Sequence, residues 1–251
     1  MNWLAAMVAA ERAGDCMLLP EGPLAGSGRA VALAPHPDDP DAVAVFLRML
    51  QRGGWDVCWT ILTSGWSGVE DDFVGLSREA KSRVREDEER AAARLFGLPD
   101  ERLTFLRLAE GEDGHLVATP RNYARFAVQL EALAPALVIL PYHDDSNPSH
   151  RLTSVWLRQW LATRDDRPVV VENEDPKSTT FLPNLCIRFD EDTAGWKSTL
   201  LECHRSQSVR NQHARGITFA ERILRMNAGP ERAAGFYQER YHVTTALNFD
   251  A

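Results

Sequence analysis

The stretch Val31-Ala-Leu-Ala-Pro-His-Pro-Asp-Asp-Pro-Asp-Ala-Val-Ala-Val45 decides the fold of this chain. Its apolar start, Val31 to Ala34, is typical of a buried strand, and the apolar run from Ala42 to Leu50 indicates a buried helix. In an open α/β sheet, ligands gather where a strand ends just before a helix. The stretch therefore predicts both an α/β fold and a functional turn.

The turn carries one imidazole and three carboxylates: His36, Asp38, Asp39 and Asp41. His36 and Asp39 offer nitrogen and oxygen ligands that suit one divalent metal, and Asp38 would lie beside the metal as a base. A simpler interpretation exists, because an Asp followed by proline is also a good helix start, and His36 could be an ordinary turn histidine. The turn alone leaves both interpretations open.

Short apolar runs alternate with helical patterns between residues 30 and 172. The runs predict strands at residues 31–34, 57–62, 103–106, 137–140 and 168–171. This alternation indicates a Rossmann-like, doubly wound α/β fold with a mostly parallel sheet, whose strands all end at one edge. We expect residues 173–251, with a helix at 194–206, to form a C-terminal elaboration of a single domain that spans residues 1–251.

The composition is that of an ordinary globular protein, with 251 residues of which 44% are hydrophobic and 25% are charged. The net charge of −8 argues against a nucleic-acid partner. Four cysteines without CxxC spacing indicate reduced thiols and a cytoplasmic location. No run approaches the ~18 apolar residues of a membrane span. The sequence leaves open whether the chain forms a homo-oligomer.

Residues 1–10 are apolar apart from Asn2, which is a feature of signal peptides. They lack a basic leading region, and Glu11-Arg12 ends the apolar run early. We therefore expect an amphipathic helix packed on the domain.

A catalytic zinc takes three protein ligands and keeps one position open for water. The loop from Tyr142 to His150 follows the strand expected at 137–140, so it lies at the same sheet edge as His36 and Asp39. It supplies two histidines, His143 and His150. From the residues alone, either could be the third ligand.

These residues resemble the PIG-L/LmbE-like zinc-dependent de-N-acetylases. The family's first motif, His-Pro-Asp-Asp-Glu, is similar to residues 36–40, and its second, Asp-x-His-Pro-Asp-His, is similar to residues 145–150. Weaker similarities follow in the family's order. They are an Arg-x-x-Glu helix at Arg85–Leu98, a Phe-Leu strand with an acidic residue at Phe105–Glu110, a Lys…Ser-Gln helix at Lys197–Gln207 and a Tyr-x-Glu motif at Tyr237–Glu239.

The resemblance implies a hydrolase that removes an N-acyl group, usually N-acetyl, from an amino sugar, a conjugate of one or a related amide. It implies that Zn²⁺ is held by His36, Asp39 and His150. Asp38 would be the general base that activates water and later protonates the leaving amine.

The resemblance also implies that Arg85 and Glu110 contact the substrate. Independently of the family, Trp66 stands in the glycine-bearing loop Thr63–Gly68, where it could offer an apolar wall to a pocket.

The second motif departs from the family, since Asn147 and Ser149 replace its first His and its Asp, and Pro40 replaces the Glu of the first motif. The Asn147 amide can still donate a hydrogen bond to a developing oxyanion, but it cannot shuttle a proton. His143, on the same loop, could assist the oxyanion instead. The changed motif keeps an alternative open: a catalytically impaired domain that binds a small molecule or a metal. A nucleotide-binding domain is not indicated, because no GxGxxG follows the first strand.

Overall fold

A sheet of eight strands runs through the described part of the chain, which in the computed structural model comprises Trp3, Ala6 and residues 16–75, 77–228 and 235–244. The strands are β1 (Met17–Pro20), β2 (Arg29–Ala34), β3 (Asp56–Ile61), β4 (Leu103–Phe105), β5 (Leu137–Pro141), β6 (Val169–Asn173), β7 (Leu185–Phe189) and β8 (Tyr237–Thr244). Their order is β1-β7-β8-β6-β5-β2-β3-β4, with β8 antiparallel to both neighbours and the other pairs parallel. The predicted α/β fold with a mostly parallel sheet is confirmed.

Helices connect the parallel strands and cover the sheet. They are α1 (Asp39–Ala42), α2 (Ala44–Arg52), α3 (Asp71–Val74), α4 (Arg78–Phe96), α5 (Pro120–Leu133), α6 (Pro148–Leu161), α7 (Glu191–Leu201), α8 (Arg205–Arg215) and α9 (Phe219–Ala228), with 3-10 turns at Trp66–Gly68 and Asp100–Arg102. Within the described residues, we find no helix with the length and apolar content that crossing a bilayer requires.

Alternate residues of the central strands face two separate apolar layers, as expected for a sheet that is covered on both faces. Ala32 of β2 and Ile139 of β5 pack in the layer that contains Phe46 of α2. Leu33, the next residue of β2, packs in the other layer with Trp156 of α6. The loops at the sheet edge are therefore held between two cores.

The loops that follow β2, β3 and β5 leave the sheet at one edge, because these three strands run parallel to one another. The turn after β2 carries the first motif, and the loop after β5 carries the second. The topology brings together two motifs that are far apart in the sequence.

The C-terminal part differs from the sequence prediction in two places. The helix predicted at residues 194–206 is wrong, since α7 ends at Leu201 and α8 begins at Arg205. The chain turns between them because His204 is fully buried against Asp41. β8 was not predicted as a strand, and it pairs between β6 and β7 in the same sheet. The helix predicted at residues 1–10 lies outside the described residues, apart from Trp3 and Ala6.

Candidate metal centre

The turn between β2 and α1 places His36 and Asp39 side by side. Asp39 Oδ2 accepts a hydrogen bond from the backbone N–H of His36 at 2.8 Å and lies 3.5 Å from His36 Nδ1. Asp38 has a left-handed backbone, with φ of 95°, and its N–H donates to Glu89 Oε2. Asp38 occupies the N-cap position of α1 without a side-chain capping bond. The turn is therefore more than a capped helix start.

His150 reaches the same point from the first turn of α6, where its side chain is fully buried. Its Nδ1 hydrogen-bonds Asp145 Oδ2 at 2.9 Å, so the ring proton lies there and Nε2 carries the free lone pair. Nε2 is 3.6 Å from Asp39 Oδ1 and has no hydrogen-bond partner among the described residues. A buried polar atom without a partner is costly. A metal ion at this point would satisfy it.

One donor atom from each of His36, Asp39 and His150 lies within 4.8 Å of the other two. Burial lowers the pKa of His36, which favours the neutral ring that a metal requires. Burial would raise the pKa of Asp39, but the neighbouring imidazoles of His150 and His36 lower it well below its usual range. Two imidazole nitrogens and one carboxylate oxygen suit a catalytic zinc. These residues fit a divalent metal.

His143, the other histidine of the loop, is engaged elsewhere. Its Nδ1 hydrogen-bonds Glu172 Oε2 of β6 at 2.8 Å, and its ring lies against that of Tyr142 with centroids 4.1 Å apart. Among the described residues, His143 belongs to no cluster of side chains that could hold a metal ion, including the one formed by His36, Asp39 and His150.

A pocket of about 390 Å³ opens onto His36 and Asp38. Arg85 of α4 lines it and is only 2% exposed, with Nη2 lying 3.2 Å from Asp38 Oδ1 and donating to the Pro37 carbonyl. Nη1 is 4.0 Å from Glu88 Oε2, and neither Nη1 nor Nε makes a hydrogen bond within the described part of the chain. Arg85 thus holds Asp38 in place and keeps donors available in the pocket wall.

Asn147 also lines this pocket, and it is the N-cap of α6. Its Oδ1 accepts a hydrogen bond from the backbone N–H of Ser149 at 2.9 Å. Because the oxygen is used as the cap, the amide NH₂ is the group of Asn147 that remains to serve a ligand.

Glu110 and Trp66, the other two predicted substrate contacts, are not among the described residues that line the pocket. Glu110 accepts hydrogen bonds from Ser64 N, Ser64 Oγ and Gly65 N, which hold the loop after β3 in place. Burial raises the pKa of Glu110. The Trp66 ring lies under the Arg78 guanidinium, 4.4 Å from ring centroid to Cζ. Glu110 thus binds the start of the Gly65–Gly68 loop and Trp66 is part of it, and Gly65, Ser67 and Gly68 of this loop line the pocket.

Lys177, which the sequence analysis did not single out, also lines the pocket. It stands in the loop between β6 and β7, where its N–H donates to Asp175 Oδ1 and its carbonyl accepts from Ser146 N. Burial would lower the pKa of Lys177, but the carboxylates of Asp175 and Asp39 raise it. The loop position depends on a β-bridge between Asp145 and Ser178, which local sequence does not reveal.

Comparison with protein families gives a match over residues 31–161, just over half of the chain, to the family described as PIG-L, GlcNAc-PI de-N-acetylase. This chain belongs to the PIG-L family. The matched segment contains His36, Asp38, Asp39, Asn147 and His150. A comparison with curated protein sequences gives no match.

Solved structures with the PIG-L fold superpose over most of this chain. An N,N'-diacetylchitobiose deacetylase from Pyrococcus horikoshii is 19% identical, with a TM-score of 0.68 over 86% of this chain and 83% of that chain. The 4-carboxy-2-hydroxymuconate hydratase GalB from Pseudomonas putida is 16% identical, with a TM-score of 0.66 over 87% and 97%. The zinc-inhibited form of teicoplanin deacetylase Orf2 is 14% identical, with a TM-score of 0.65 over 88% and 99%. At these identities the likeness concerns the fold.

The later motifs of this PIG-L chain hold the site together. Glu88 of the Arg-x-x-Glu helix accepts hydrogen bonds from the N–H and hydroxyl of Ser206, each at 2.7 Å. Lys197 donates to Glu239 Oε1 at 2.7 Å, and both side chains are buried. Glu239 in turn accepts from the backbone N–H groups of Val45 and Phe46 in the first turn of α2. These residues connect the C-terminal part to the first motif.

A second buried cluster lies behind Asp38 and consists of Asp41, Glu89 and His204. His204 Nε2 is 2.6 Å from Asp41 Oδ2 and 3.8 Å from Glu89 Oε2. Burial raises the pKa of Glu89 to about 8. Burial would lower the pKa of His204, but the hydrogen bond with Asp41 raises it to about 8. The short Nε2–Oδ2 contact is that of a hydrogen bond and leaves no room for an ion between these two atoms.

Proposed function

We propose that this protein is a zinc-dependent hydrolase that removes an N-acyl group, N-acetyl first of all, from an amino sugar or a related amide. The observation that carries the proposal is His150 Nε2, which is buried, has no hydrogen-bond partner among the described residues and lies 3.6 Å from Asp39 Oδ1. Membership of the PIG-L family supports deacetylation as the reaction type.

His36, Asp39 and His150 would hold the metal, and Asp145 would fix the ring of His150 with Nε2 directed toward it. When bound, Zn²⁺ supplies a Lewis acid for the amide carbonyl and lowers the pKa of water toward ~7.

Asp38 is the proposed general base. It lines the pocket next to His36, and its carboxylate is held by Arg85 Nη2 at 3.2 Å. It would take a proton from the attacking water and return it to the amine that leaves. The backbone bond from Asp38 N–H to Glu89 fixes the turn, so the carboxylate has little freedom to move away.

Asn147 is the proposed donor to the oxyanion that forms as water attacks the carbonyl. Its oxygen is occupied by Ser149 N, which directs the amide to act as a donor. His143 is the second candidate for this role, although its Nδ1 is engaged by Glu172. We further propose that Arg85 binds substrate directly, and that Glu110 and Trp66 contribute by shaping the loop after β3.

Zinc titration into metal-free protein tests the metal assignment. The parent should bind about one equivalent, and His150→Ala should bind much more weakly, because it removes a buried ligand. His143→Ala is the matched control and should bind as the parent does. If His143→Ala loses affinity and His150→Ala keeps it, the third ligand is wrongly assigned.

A panel of N-acylated amino sugars tests the reaction, with release of the free amine as the readout. A second candidate function is favoured by the absence of an imidazole at position 147: a catalytically impaired domain that retains metal and ligand binding. Metal binding without hydrolysis of any member of a broad N-acyl panel would favour that second function.

A further inference from the structure

His115 differs from the other histidines of the chain because its ring has no partner. The chain has seven histidines, and the structure describes all of them. No hydrogen bond or ion pair within the described residues engages the ring of His115, although its Nδ1 is buried. In the other six, a ring nitrogen pairs with a carboxylate or a carbonyl: His36 with Asp39, His143 with Glu172, His150 with Asp145, His204 with Asp41, His213 with Glu70 and His242 with the Leu182 carbonyl.

His115 lines the pocket that opens onto the candidate metal centre, together with His36, Asp38 and Asn147. Its side chain is half-buried, and Nε2 is neither enclosed nor bonded to a described residue. A neutral imidazole carries one ring proton. Since no described residue accepts a proton from Nδ1, the proton is better placed on Nε2, where the pocket can hydrate it. The ring of His115 therefore presents an N–H donor to the pocket.

The segment that carries His115 is held in place by its own backbone and by a neighbouring loop. Gly111 N–H donates to the His115 carbonyl at 2.8 Å, and His115 N–H donates to Asp113 Oδ1 at 3.0 Å. Gly114 has φ of 74° and packs so closely on Ser67 that a Cβ at Gly114 would lie 2.2 Å from that side chain. A donor on such a segment is positioned before a substrate binds.

Ser149 connects this segment to the second motif. Its Oγ accepts a hydrogen bond from Leu116 N–H at 3.0 Å, and both residues are buried. Ser149 lies in the first turn of α6, two residues after the N-cap Asn147 and directly before His150. The residue next to His115 is thus bound to the turn that carries the Asn147 amide. The hydroxyl at position 149, where the motif departs from its family, has a defined contact here.

We propose that His115 is a further catalytic residue, whose Nε2–H donates a hydrogen bond to the oxyanion beside the amide of Asn147. This inference rests on the proposed function and adds to it a residue that lies outside both motifs. The oxyanion forms as water attacks the amide carbonyl, and donors that are already in position stabilise its charge most strongly. Ser149 is a positioning residue, since it acts on His115 through the backbone of Leu116.

Steady-state kinetics of two variants of His115 test the role. His115→Ala should lower kcat by about 10²–10³-fold with little change in KM, as removal of an oxyanion donor does. His115→Gln should keep part of the rate, because its amide still offers an N–H. Imidazole added to His115→Ala should restore part of kcat, which it would not do for a misfolded variant. His213→Ala is the matched control and should keep the parent rate, because it removes an exposed imidazole outside the pocket lining.

A double-mutant cycle tests the connection through Ser149. Ser149→Ala should lower kcat by a smaller factor than His115→Ala, because it removes one anchor of the segment. The combined variant should be about as slow as His115→Ala alone, since no ring is then left to position. Losses that multiply in the combined variant would show that Ser149 does not act through His115. Metal content is measured for every variant, because Ser149 adjoins His150.

A parent-like rate in His115→Ala would overturn the proposal. A higher KM with unchanged kcat would also overturn it, because that pattern belongs to a residue that binds substrate and transition state equally. Failure of the proposed function is recognised separately, since the parent then hydrolyses no N-acyl compound.

Calorimetry decides the role of His115 in that case. The probes are N-acetylglucosamine and its methylphosphonamide analogue, whose tetrahedral anionic group resembles the oxyanion intermediate. His115→Ala should bind the analogue about 10-fold more weakly than the parent, or weaker still, while the affinity for N-acetylglucosamine stays the same. An analogue that binds the parent no better than it binds His115→Ala would overturn the proposal.

Discussion

Asp145 accepts a hydrogen bond from His150 Nδ1 at 2.9 Å, and both side chains are fully buried. The other oxygen of Asp145 accepts from the backbone N–H of Asn147. One carboxylate therefore orients both the proposed metal ligand and the proposed oxyanion donor.

Asp145→Asn should weaken zinc binding by ~10–100-fold, because a neutral amide orients the ring of His150 less firmly and lowers its basicity. Asp144→Asn is the control, since it removes the same charge from the neighbouring residue, whose carboxylate bonds to Thr180. Competition with a coloured chelator measures both affinities. Equal affinities in the two variants would show that Asp145 does not support the metal ligand.

Asp38→Asn should keep the fold and the metal but lose ~10²–10⁴-fold in kcat, because the amide cannot accept the proton from water. Asn is well suited to the test, since it tolerates the left-handed backbone that Asp38 adopts. Steady-state kinetics and metal analysis on the same samples distinguish a loss of the base from a loss of the metal. An unchanged rate would assign the base role to a different residue.

Asn147→Asp should keep the cap of α6, because a carboxylate oxygen still accepts from Ser149 N–H, but it removes the donor. We expect kcat to fall by up to ~10²–10³-fold with the melting temperature nearly unchanged. Asn147→Ala removes both the amide donor and the N-cap of α6, so it should also lower the free energy of unfolding by about 1 kcal/mol.

His143→Gln completes this comparison and should leave kcat close to that of the parent. If His143→Gln is damaging and Asn147→Asp is harmless, the oxyanion is assisted from the histidine instead.

The buried cluster of Glu89 and His204 predicts a pH-dependent stability. Both groups have native pKa values of about 8, above their unfolded values of about 4.3 and 6.5, so the native state holds more protons. The free energy of unfolding should therefore decrease through the contribution of Glu89 as the pH rises from about 4.3, and His204 should add to the decrease between about 6.5 and 8. His204 makes its full contribution to the free energy of unfolding at pH values below its unfolded pKa of about 6.5.

Glu89→Gln should flatten this decrease, because it removes the carboxylate that is forced to ionise. Asp87→Asn, an exposed change on the same helix, should preserve the slope. Thermal unfolding of metal-free protein between pH 6 and 9 measures the slopes. A slope that is the same in the parent and in Glu89→Gln would contradict the raised pKa of Glu89.

Lys197→Met should destabilise the protein by about 3–5 kcal/mol, because it leaves the buried carboxylate of Glu239 without its counter-charge. The double change Lys197→Met with Glu239→Gln should recover part of the loss. Urea unfolding of both variants measures the loss of stability and its partial recovery. Equal stability of the single and double variants would show that the unpaired charge is not the cause.

The first motif and the parallel sheet could be predicted from sequence because their signals are local. Val31 to Ala34 is a continuous apolar run, and the proposed site residues of the first motif follow it directly. Once β2 and β5 are both strands of a parallel sheet, their shared edge brings the His36 turn and the His150 loop together.

Other parts of the site depend on contacts between distant residues. Lys177 reaches the pocket because its loop pairs with Asp145 through Ser178. Glu110 has the acidic character expected of a substrate contact, but it is used by the backbone of the loop after β3. β8 alternates buried and half-buried residues in a sequence with three charged or histidine side chains, Glu239, Arg240 and His242, so its apolar signal is weak.

Glu239 lies in the last described strand, yet it accepts the N–H groups that open α2, and its partner Val45 is 194 residues earlier in the chain. A ribosome releases the first motif long before it has synthesised this carboxylate. The contacts that Glu239 makes with the start of α2, next to the turn with His36 and Asp39, can thus form only after Glu239 has been synthesised. We expect a nascent chain to bind its metal firmly only once Glu239 has left the ribosome, and chains shortened before Glu239 to be cleared as unfolded protein.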